Sequence, residues 1–234
     1  MVLAVIPARL ASSRFPRKVL HPIGGKPLLW HVWKSVTAAH LIDRVIIASS
    51  DSEILDVARG FGAETFRTSK KHKTGSDRSA EVCRSIAASI VVNVQADTFD
   101  LPSASLDKLV TFLKSRRLAL AATLSYPMSA QAAAQTDRVK VVLAADQRAL
   151  WFSRAPIPFP QSVAENKKVS YFGHVGVYAY RRQSLLKYGN EKQTPAELTE
   201  SLEQLRFLES VGPMYAVKIS KAPRSIDRPE DVPA

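Results

Sequence analysis

Short apolar runs alternate with longer amphipathic segments along the first half of the chain. Three of these runs, VLAVI (2–6), RVIIAS (44–49) and SIVVNVQ (89–95), are apolar at nearly every position. Continuous apolar strands are typical of a parallel sheet that is covered on both faces. The pattern therefore predicts three buried strands that lie side by side in one sheet.

Helix signals fill the segments between and after these runs. The segments with helical spacing are 27–39, 51–62, 75–89 and 103–117. Asp51 stands where a capping residue is expected at the start of the second helix. A later segment, 195–212, is predicted as one helix that begins with a capping box of Thr194 and Glu197. The alternation predicts an α/β fold, with a Rossmann-like, doubly wound and mostly parallel sheet and helices on both faces.

The middle of the chain has a different pattern. The segments 140–160 and 171–182 are strand-rich, and prolines occur at 156, 158 and 160. We interpret residues 125–190, roughly, as an inserted strand-rich subregion. The sequence shows no internal repeat and no clear linker, so we expect residues 1–234 to form a single domain.

Composition places the chain among ordinary globular proteins. Of its 234 residues, 46% are hydrophobic and 23% are charged. The single cysteine, Cys83, rules out an intrachain disulfide and favours a reducing, cytoplasmic compartment. Because no apolar run approaches the ~20 residues of a membrane-spanning helix, we expect no membrane insertion.

Positive charge is in excess and is concentrated near the start of the chain. The net charge is +12, from 33 basic and 21 acidic residues, and the first acidic residue is Asp43. Such an excess fits a nucleic acid, a phosphorylated small molecule or simply a basic surface. Residues 7–18, here called the basic loop, carry Arg9, Arg14, Arg17 and Lys18 directly after the first strand. Ligands of open α/β sheets bind at the carboxyl ends of the strands, so these cations are suited to a polyphosphate.

Six short motifs occur along the chain in a characteristic order. Pro7-Ala8-Arg9, Ser12-Ser13-Arg14, Pro16 and Lys18 together resemble the nucleotide-binding loop of sugar nucleotidyltransferases. The other five motifs are HKTGSDR (72–78), NVQAD (93–97), FSRAPIP (152–158), ESLEQLR (200–206) and IDRPEDV (226–232). Each motif is weak alone, but the six in order resemble the family of 3-deoxy-manno-octulosonate cytidylyltransferases over nearly the whole chain.

This resemblance implies a reaction and its cofactor. A hydroxyl of a 3-deoxy-octulosonate-type sugar acid would attack the α-phosphate of CTP, with Mg²⁺ bound, to give a CMP-sugar and pyrophosphate. The resemblance also implies a homodimer, with the inserted subregion at its interface. A related sugar acid, such as an amino-substituted octulosonate or a sialic acid, and a catalytically impaired homologue are the alternatives. A nucleic-acid-binding protein is disfavoured, because the sequence has no zinc-finger spacing, no RNA-binding aromatic signature and no clustered basic helix.

The resemblance also assigns site residues. The nucleotide-binding residues are Pro7, Ala8, Arg9, Ser13, Arg14, Lys18, Thr74, Gly75, Ser76, Arg78 and Gln95. The sugar-binding residues are Arg154, His174, Glu203 and Gln204. Asp97 and Asp227 would bind the metal, and with Arg14 and Lys18 they form the catalytic set.

The chemistry of these side chains agrees with such roles, although each has a plainer interpretation. Arginine and lysine bind phosphates well, but they also solvate surfaces. Gly75 would let the backbone approach a flat base, although the same stretch also suits a helix start with Thr74 or Ser76 as cap. Arg154 or His174 would bind the carboxylate of a sugar acid, yet a strand histidine is often only structural.

One motif departs from the family. The usual Gly-Asp-Glu-Pro is Ala96-Asp97-Thr98-Phe99 in this chain. The metal-binding Asp97 is kept, but loss of the neighbouring glutamate predicts a weaker environment for Mg²⁺. Asp100 is a candidate for a replacement charge.

Overall fold

A computed structural model describes residues 1–12, 14–161 and 169–233. The elements in chain order are β1 (Val2–Pro7), β2 (Pro22–Ile23), β3 (Lys26–Pro27), α1 (Leu28–Thr37), β4 (Arg44–Ser49), α2 (Ser52–Gly60), β5 (Glu64–Arg67), α3 (Gly75–Ser85), β6 (Ile90–Val94), β7 (Thr98–Phe99), α4 (Ser103–Ser115), β8 (Ala121–Met128), α5 (Ala130–Ala133), β9 (Lys140–Leu143), β10 (Ala149–Ser153), β11 (Tyr171–Arg181), α6 (Arg182–Tyr188), α7 (Pro195–Glu200), α8 (Glu203–Ser210), β12 (Met214–Lys218) and β13 (Arg224–Ser225).

Within the residues that the structure describes, nine strands form one mixed sheet. Its main path runs β10-β9-β11-β6-β1-β4-β5, and β8 joins β11 to β12. The four strands β6, β1, β4 and β5 are parallel neighbours, whereas β11 runs antiparallel to β6, β8 and β9. The predicted α/β fold and its three apolar strands are confirmed. The strand-rich middle of the chain supplies the antiparallel part of the same sheet.

Helices cover both faces of this sheet. Successive side chains of β1 point to opposite faces, and both faces are apolar. Ala4 and Ile6 belong to the apolar cluster that packs on α1, α2 and α4. Leu3 and Val5 belong to the cluster that packs on α3, α6 and α8. All four side chains are fully buried, as expected for a parallel strand at the centre of a covered sheet.

Two details of the predicted helices are corrected. The segment 195–212 is not one helix, since α7 ends at Glu200 and α8 begins at Glu203. Ser201 lies between them in the left-handed conformation, with φ 53°, and this turn gives α8 a new direction. The predicted capping box of Thr194 and Glu197 is confirmed. Asp51 does stand at the cap position of α2, but its side chain makes no capping hydrogen bond.

Within the described residues, no helix has the length and apolar character needed to cross a membrane.

Candidate active site

Two adjoining cavities lie where β1 and β6 end and where α3 begins. The larger one measures about 1270 Å³ and the smaller about 270 Å³. The residues that line both are Arg9, Arg14, Lys73, Thr74, Gly75, Gln95, Asp97 and Asp227. The fold therefore brings residues of four of the six sequence motifs to the carboxyl ends of two neighbouring parallel strands, which is where α/β sheets bind ligands.

Backbone hydrogen bonds hold the basic loop against the sheet. The amide of Ala8 donates to the carbonyl of Ala48 at 2.9 Å, and the amide of Leu10 donates to the Asp51 carboxylate at 2.8 Å. Asp51 thus anchors the loop, a role that the sequence did not reveal because aspartate also suits a helix cap. Arg17 has a left-handed backbone and pairs with the exposed Glu53, so the loop turns this cation away from Lys18. Ser13 lies outside the described residues.

Lys18 connects the two carboxylates that the sequence analysis assigns to a metal. Its Nζ lies 2.8 Å from Asp97 Oδ2 and 3.3 Å from Asp227 Oδ1. Arg14 reaches the same Asp227 oxygen at 3.1 Å. The lysine side chain is only 10% exposed, so this charge cluster lies at the wall of the cavity. The four predicted catalytic residues are thus in one place, although they come from the two ends and the middle of the chain.

The carboxylate pair supplies oxygen donors of the kind that a magnesium ion takes. The two lysine contacts, 2.8 Å and 3.3 Å, limit the separation of the two oxygens to about 6.1 Å. A single Mg²⁺ at about 2.1 Å from each oxygen needs them about 4 Å apart or closer, which this upper limit permits, and the ion would take the place that Lys18 Nζ now has between them. Among the described residues, no group of three or more histidine, cysteine or acidic side chains is placed to hold a metal. Asp97 and Asp227 therefore fit an ion that takes its other ligands from phosphate and water.

A short ribbon carries this pair. Strand β7 pairs antiparallel with β13, and the amide of Ile226 donates to the carbonyl of Asp97 at 3.1 Å. Ser225 Oγ donates to Asp227 Oδ2 at 3.1 Å. Asp100 is not a replacement charge at the metal position, because its carboxylate pairs with Arg224 instead.

The start of α3 forms a closely packed wall. Thr74 and Asp77 make the capping box that orients the first turn. Gly75 leaves no room for a side chain, since a Cβ there would lie 2.6 Å from Gln95 Nε2 and 3.0 Å from Pro7 Cγ. The stretch is therefore a capped helix start, whose Thr74 and Gly75 also line the cavities, and its contact with a base stays a prediction.

Ser76 and Arg78 are held behind that wall. Ser76 is fully buried, and its hydroxyl contacts Tyr180 OH at 3.1 Å and accepts from Asn93 Nδ2 at 3.0 Å. Arg78 lines the smaller cavity and donates to Thr68 Oγ1 and to the carbonyl of Ser69 at 3.4 Å. Burial lowers the pKa of Arg78 from its ordinary value. Its guanidinium is thus fixed by the protein before any ligand enters.

Glu203 joins the helix that follows the Ser201 turn to the start of α3. Its two carboxylate oxygens accept from the amide of Ser76 at 3.1 Å and from Gln95 Nε2 at 3.2 Å. Burial raises the pKa of Glu203 above its usual value, and the hydrogen bond from the Ser76 amide partly opposes that rise. This one carboxylate, assigned from sequence to the sugar side, therefore contacts two residues that were assigned to the nucleotide side.

His174 lines the larger cavity as a neutral ring. Burial lowers its pKa to about 3, so the ring is neutral in the ligand-free protein, and its contact with a sugar carboxylate stays a prediction. Its Nε2 lies 2.9 Å from Thr123 Oγ1, whose hydroxyl also contacts the carbonyl of Val177 at 2.8 Å. Because that hydroxyl donates to the carbonyl, we assign the proton to Nε2. Nδ1 is then the acceptor and lies 3.5 Å from Gln204 Nε2.

Gln204 also lines the larger cavity, but Arg154 does not. The Arg154 guanidinium donates to the carbonyl of Glu200 at 2.8 Å and to the carbonyl of Thr136 at 3.2 Å. The structure therefore does not bring Arg154 together with the other predicted sugar-binding residues. Lys140, which is fully buried, contacts the Arg154 carbonyl and holds this segment in place.

Sequence reasoning missed a buried ion pair that links two motifs. Arg206 lies 2.9 Å from Asp77 and 2.9 Å from Glu197, and its guanidinium stacks over the Tyr188 ring. Burial opposes the charge on Arg206, but Tyr188, Asp77 and Glu197 outweigh it and raise its pKa. Arg206 is in the ESLEQLR motif and Asp77 is in HKTGSDR. Their opposite charges were the only feature of the sequence that could have indicated this ion pair. Arg138 also lines the larger cavity, and it belongs to none of the six motifs, so the sequence did not single it out.

Comparison with known proteins gives the class to which this fold and site belong. The sequence profile of the cytidylyltransferases matches residues 3–216, and the chain belongs to that family. A 3-deoxy-manno-octulosonate cytidylyltransferase from Syntrophotalea carbinolica is 40% identical over 238 residues, covering 99% of this chain and 95% of that protein. One from Geobacter sulfurreducens is 37% identical over 241 residues, covering 99% and 96%.

A solved structure agrees with these relatives. The structure of a CMP:2-keto-3-deoxy-manno-octonic acid synthetase complexed with CTP superposes with a TM-score of 0.92. It is 34% identical in sequence, and the match covers 98% of this chain and 94% of that one. The family resemblance and the enzyme class expected from the six motifs are confirmed.

Proposed function

We propose that this protein is a Mg²⁺-dependent enzyme that joins CTP and a 3-deoxy-octulosonate-type sugar acid to give a CMP-sugar and pyrophosphate. The relatives of known name carry this activity in their names, and a similar structure contains CTP. The observation that carries the proposal is that Lys18, at the end of the basic loop, contacts both Asp97 and Asp227. Catalysis of phosphoryl-type transfer depends mainly on such positioned charges.

The basic loop is suited to the phosphates of CTP. Arg9 and Arg14 line both cavities, and Lys18 lines the smaller one. In the reaction the sugar hydroxyl oxygen bonds to the α-phosphorus, the bond from that phosphorus to the bridging oxygen breaks, and the hydroxyl proton passes to solvent. Negative charge develops on the departing pyrophosphate, and the three cations stabilise it without reorganisation. Mg²⁺, when bound by Asp97 and Asp227, would supply further charge at the reacting phosphate.

The base would lie against the start of α3. Gly75 and Gln95 give a flat wall there, and Arg78 fixes one side of the smaller cavity. This cavity measures about 270 Å³, which is room for a nucleobase, and the comparison of CTP, UTP and ATP below tests which base is preferred. The larger cavity is left for the sugar acid, with Gln204 and neutral His174 as hydrogen-bonding groups and Arg138 as a cation that line it.

We further infer that the enzyme works in the cytoplasm as a homodimer. The only cysteine, Cys83, is buried and free, which suits a reducing compartment. Strand β10 lies at the end of the sheet path, and its Leu150 and Trp151 are 50% and 38% exposed. Edge strands with apolar side chains commonly pair with a second chain. Light scattering on the purified protein tests the dimer, and a mass of one chain would contradict it.

The test of function is a product assay. Pyrophosphate release is measured with CTP, UTP and ATP, each with 3-deoxy-manno-octulosonate, an amino-substituted octulosonate and a sialic acid. We expect turnover with CTP and the first acid, and none after a chelator until Mg²⁺ is restored. Preference for another acid would change the assigned sugar only, whereas no product with any pair would overturn the proposed activity.

A further inference from the structure

The two metal-binding carboxylates stand on opposite strands of the β7/β13 ribbon. Asp97 directly precedes β7, and Asp227 follows β13 after one intervening residue. The ribbon is short, with Ser225 paired to Thr98 and Arg224 paired to Phe99. Because so few backbone bonds join the strands, the separation of the two carboxylates depends on whatever side chains hold the ribbon in register.

Besides Lys18, which contacts both carboxylates, Arg224 makes side-chain contacts across this ribbon. Its Nε donates to Asp100 Oδ2 at 3.0 Å, and its second nitrogen reaches the same oxygen. The guanidinium carbon lies 5.1 Å from the centre of the Phe99 ring, within the range of a cation–π contact. We call Phe99, Asp100 and Arg224 the clasp.

One side of the clasp is fixed to the core. Phe99 is 7% exposed, and its ring packs edge-on against His31 of α1 with centroids 5.5 Å apart. Asp100 has φ 54°, a left-handed conformation that aspartate tolerates better than most residues. That turn directs its carboxylate back to Arg224. The clasp therefore ties β13 to a strand that the core already holds.

The clasp occupies the part of the motif where this chain departs from its family. Thr98 and Phe99 replace the usual Glu-Pro, and Asp100 follows them. The buried Phe99 supplies the ring under Arg224, and a proline there would not. Asp100 lines neither cavity, whereas Arg224 lines the larger one, so Asp100→Asn is the variant whose effect on the metal has to act through its neighbours.

We propose that the clasp is a positioning device that sets the distance between Asp97 and Asp227 for a divalent cation. The inference rests on the proposed function of these carboxylates as metal ligands. Arg224 and Asp100 act on the metal through the register of the ribbon, as positioning residues, and neither is a metal ligand.

Binding of Mn²⁺ in the presence of CTP tests this directly, with free Mn²⁺ measured by electron paramagnetic resonance. The variants are Asp100→Asn, which keeps a residue that tolerates the left-handed backbone, Arg224→Met, and the two combined. Exposed pairs contribute little to stability, so unfolding midpoints should remain close to the parent. We expect Mn²⁺ to bind about two- to fivefold more weakly in each single variant. The double variant should be no weaker than the worse single one, since the residues act through each other.

A matched ion pair elsewhere serves as the control. Arg44 and Glu64 join β4 to β5 through the same kind of contact, and their side chains are 39% and 46% exposed, against 57% and 48% for Arg224 and Asp100. Arg44→Met and Glu64→Gln should leave Mn²⁺ binding unchanged.

Two results would overturn the clasp. One is parental Mn²⁺ affinity in Asp100→Asn and Arg224→Met, and the other is a double variant whose loss is the sum of the single losses. Failure of the proposed function looks different, because the parent itself would then release no pyrophosphate from CTP with any sugar acid. A parent that binds no Mn²⁺ in the presence of CTP would overturn both.

Discussion

The substitution Gly75→Ala should lower the activity of the enzyme strongly and its stability only slightly. The added Cβ would lie 2.6 Å from Gln95 Nε2, whereas ordinary contacts begin at 3.4 Å. The Gln95 amide must therefore move by about 0.8 Å, the difference between these two distances. That movement breaks or lengthens its 3.2 Å hydrogen bond to Glu203. Gln95 lines both cavities, and a misplacement of about 1 Å in a group that positions substrate can cost about a hundredfold in rate, so kcat/KM should fall by about ten- to a hundredfold.

The same substitution should change stability much less. Gly75 is the first residue of α3 and has no left-handed backbone angle. Alanine favours a helix over glycine by up to about 1 kcal/mol, which offsets part of the crowding against Gln95 and Pro7. Because Gln95 lines the cavities, water can replace the hydrogen bond that its amide loses, and the unfolding midpoint should remain close to the parent while turnover falls.

The assay is pyrophosphate release with CTP and the sugar acid, combined with thermal unfolding. Gly60→Ala is the matched control, because Gly60 ends α2 and a Cβ there meets nothing within 4 Å. Gln95→Ala should reproduce most of the loss, and adding Gly75→Ala to it should cost little more. A Gly75→Ala enzyme as active as Gly60→Ala would refute the reasoning.

Three further predictions concern the metal, pH and the buried ion pair. Asp97→Asn and Asp227→Asn should each abolish most activity, and the double variant should be little worse, since residues that act as a unit are non-additive; an Asp227→Asn enzyme with a parental response to Mg²⁺ concentration would contradict this. The pKa of His174 is about 3 in the folded protein and 6.5 ordinarily, so the unfolded chain takes up the proton first and stability is lost as pH falls below 6.5. Denaturant unfolding at pH 7 and pH 5 should therefore show a steeper loss for the parent than for His174→Gln, by up to about 1.4 kcal/mol per pH unit, and equal slopes would disprove it. Arg206→Met leaves the buried Glu197 and the half-buried Asp77 without their partner, which should lower the free energy of unfolding by about 3–5 kcal/mol. A loss below about 1 kcal/mol in denaturant unfolding would show that these ion pairs are not structural.

The sequence predicted those parts of the fold that depend on local pattern. β1, β4 and β6 were recognisable because a strand buried on both faces has to be apolar at almost every position. The capping box of α7 was recognisable because its partners are three residues apart. The break between α7 and α8 was not, because Ser201 is an unremarkable residue for a helix end, and only its packing context selects the left-handed turn.

Candidate site residues could be chosen from sequence by chemical type and family motif, but not by mutual position. The residue types at 14, 18, 97 and 227 were sufficient to suggest phosphate and metal chemistry. Lys18 and Asp227 are more than two hundred residues apart in the chain, so only the sheet order and the β7/β13 ribbon bring them into contact.

Local sequence therefore determined which segments became strands and helices, and which charges the chain had available. Tertiary structure alone decided which of those charges face one another and which are neutral. The sequence offered His174 as a candidate cation and Asp100 as a candidate ligand. Burial made the histidine neutral, and the pairing of β7 with β13 placed Asp100 in an ion pair with Arg224. The physical reason is that a side chain's charge and partners depend on solvent exposure and on neighbours distant in sequence, and neither is encoded in the residues adjacent to it.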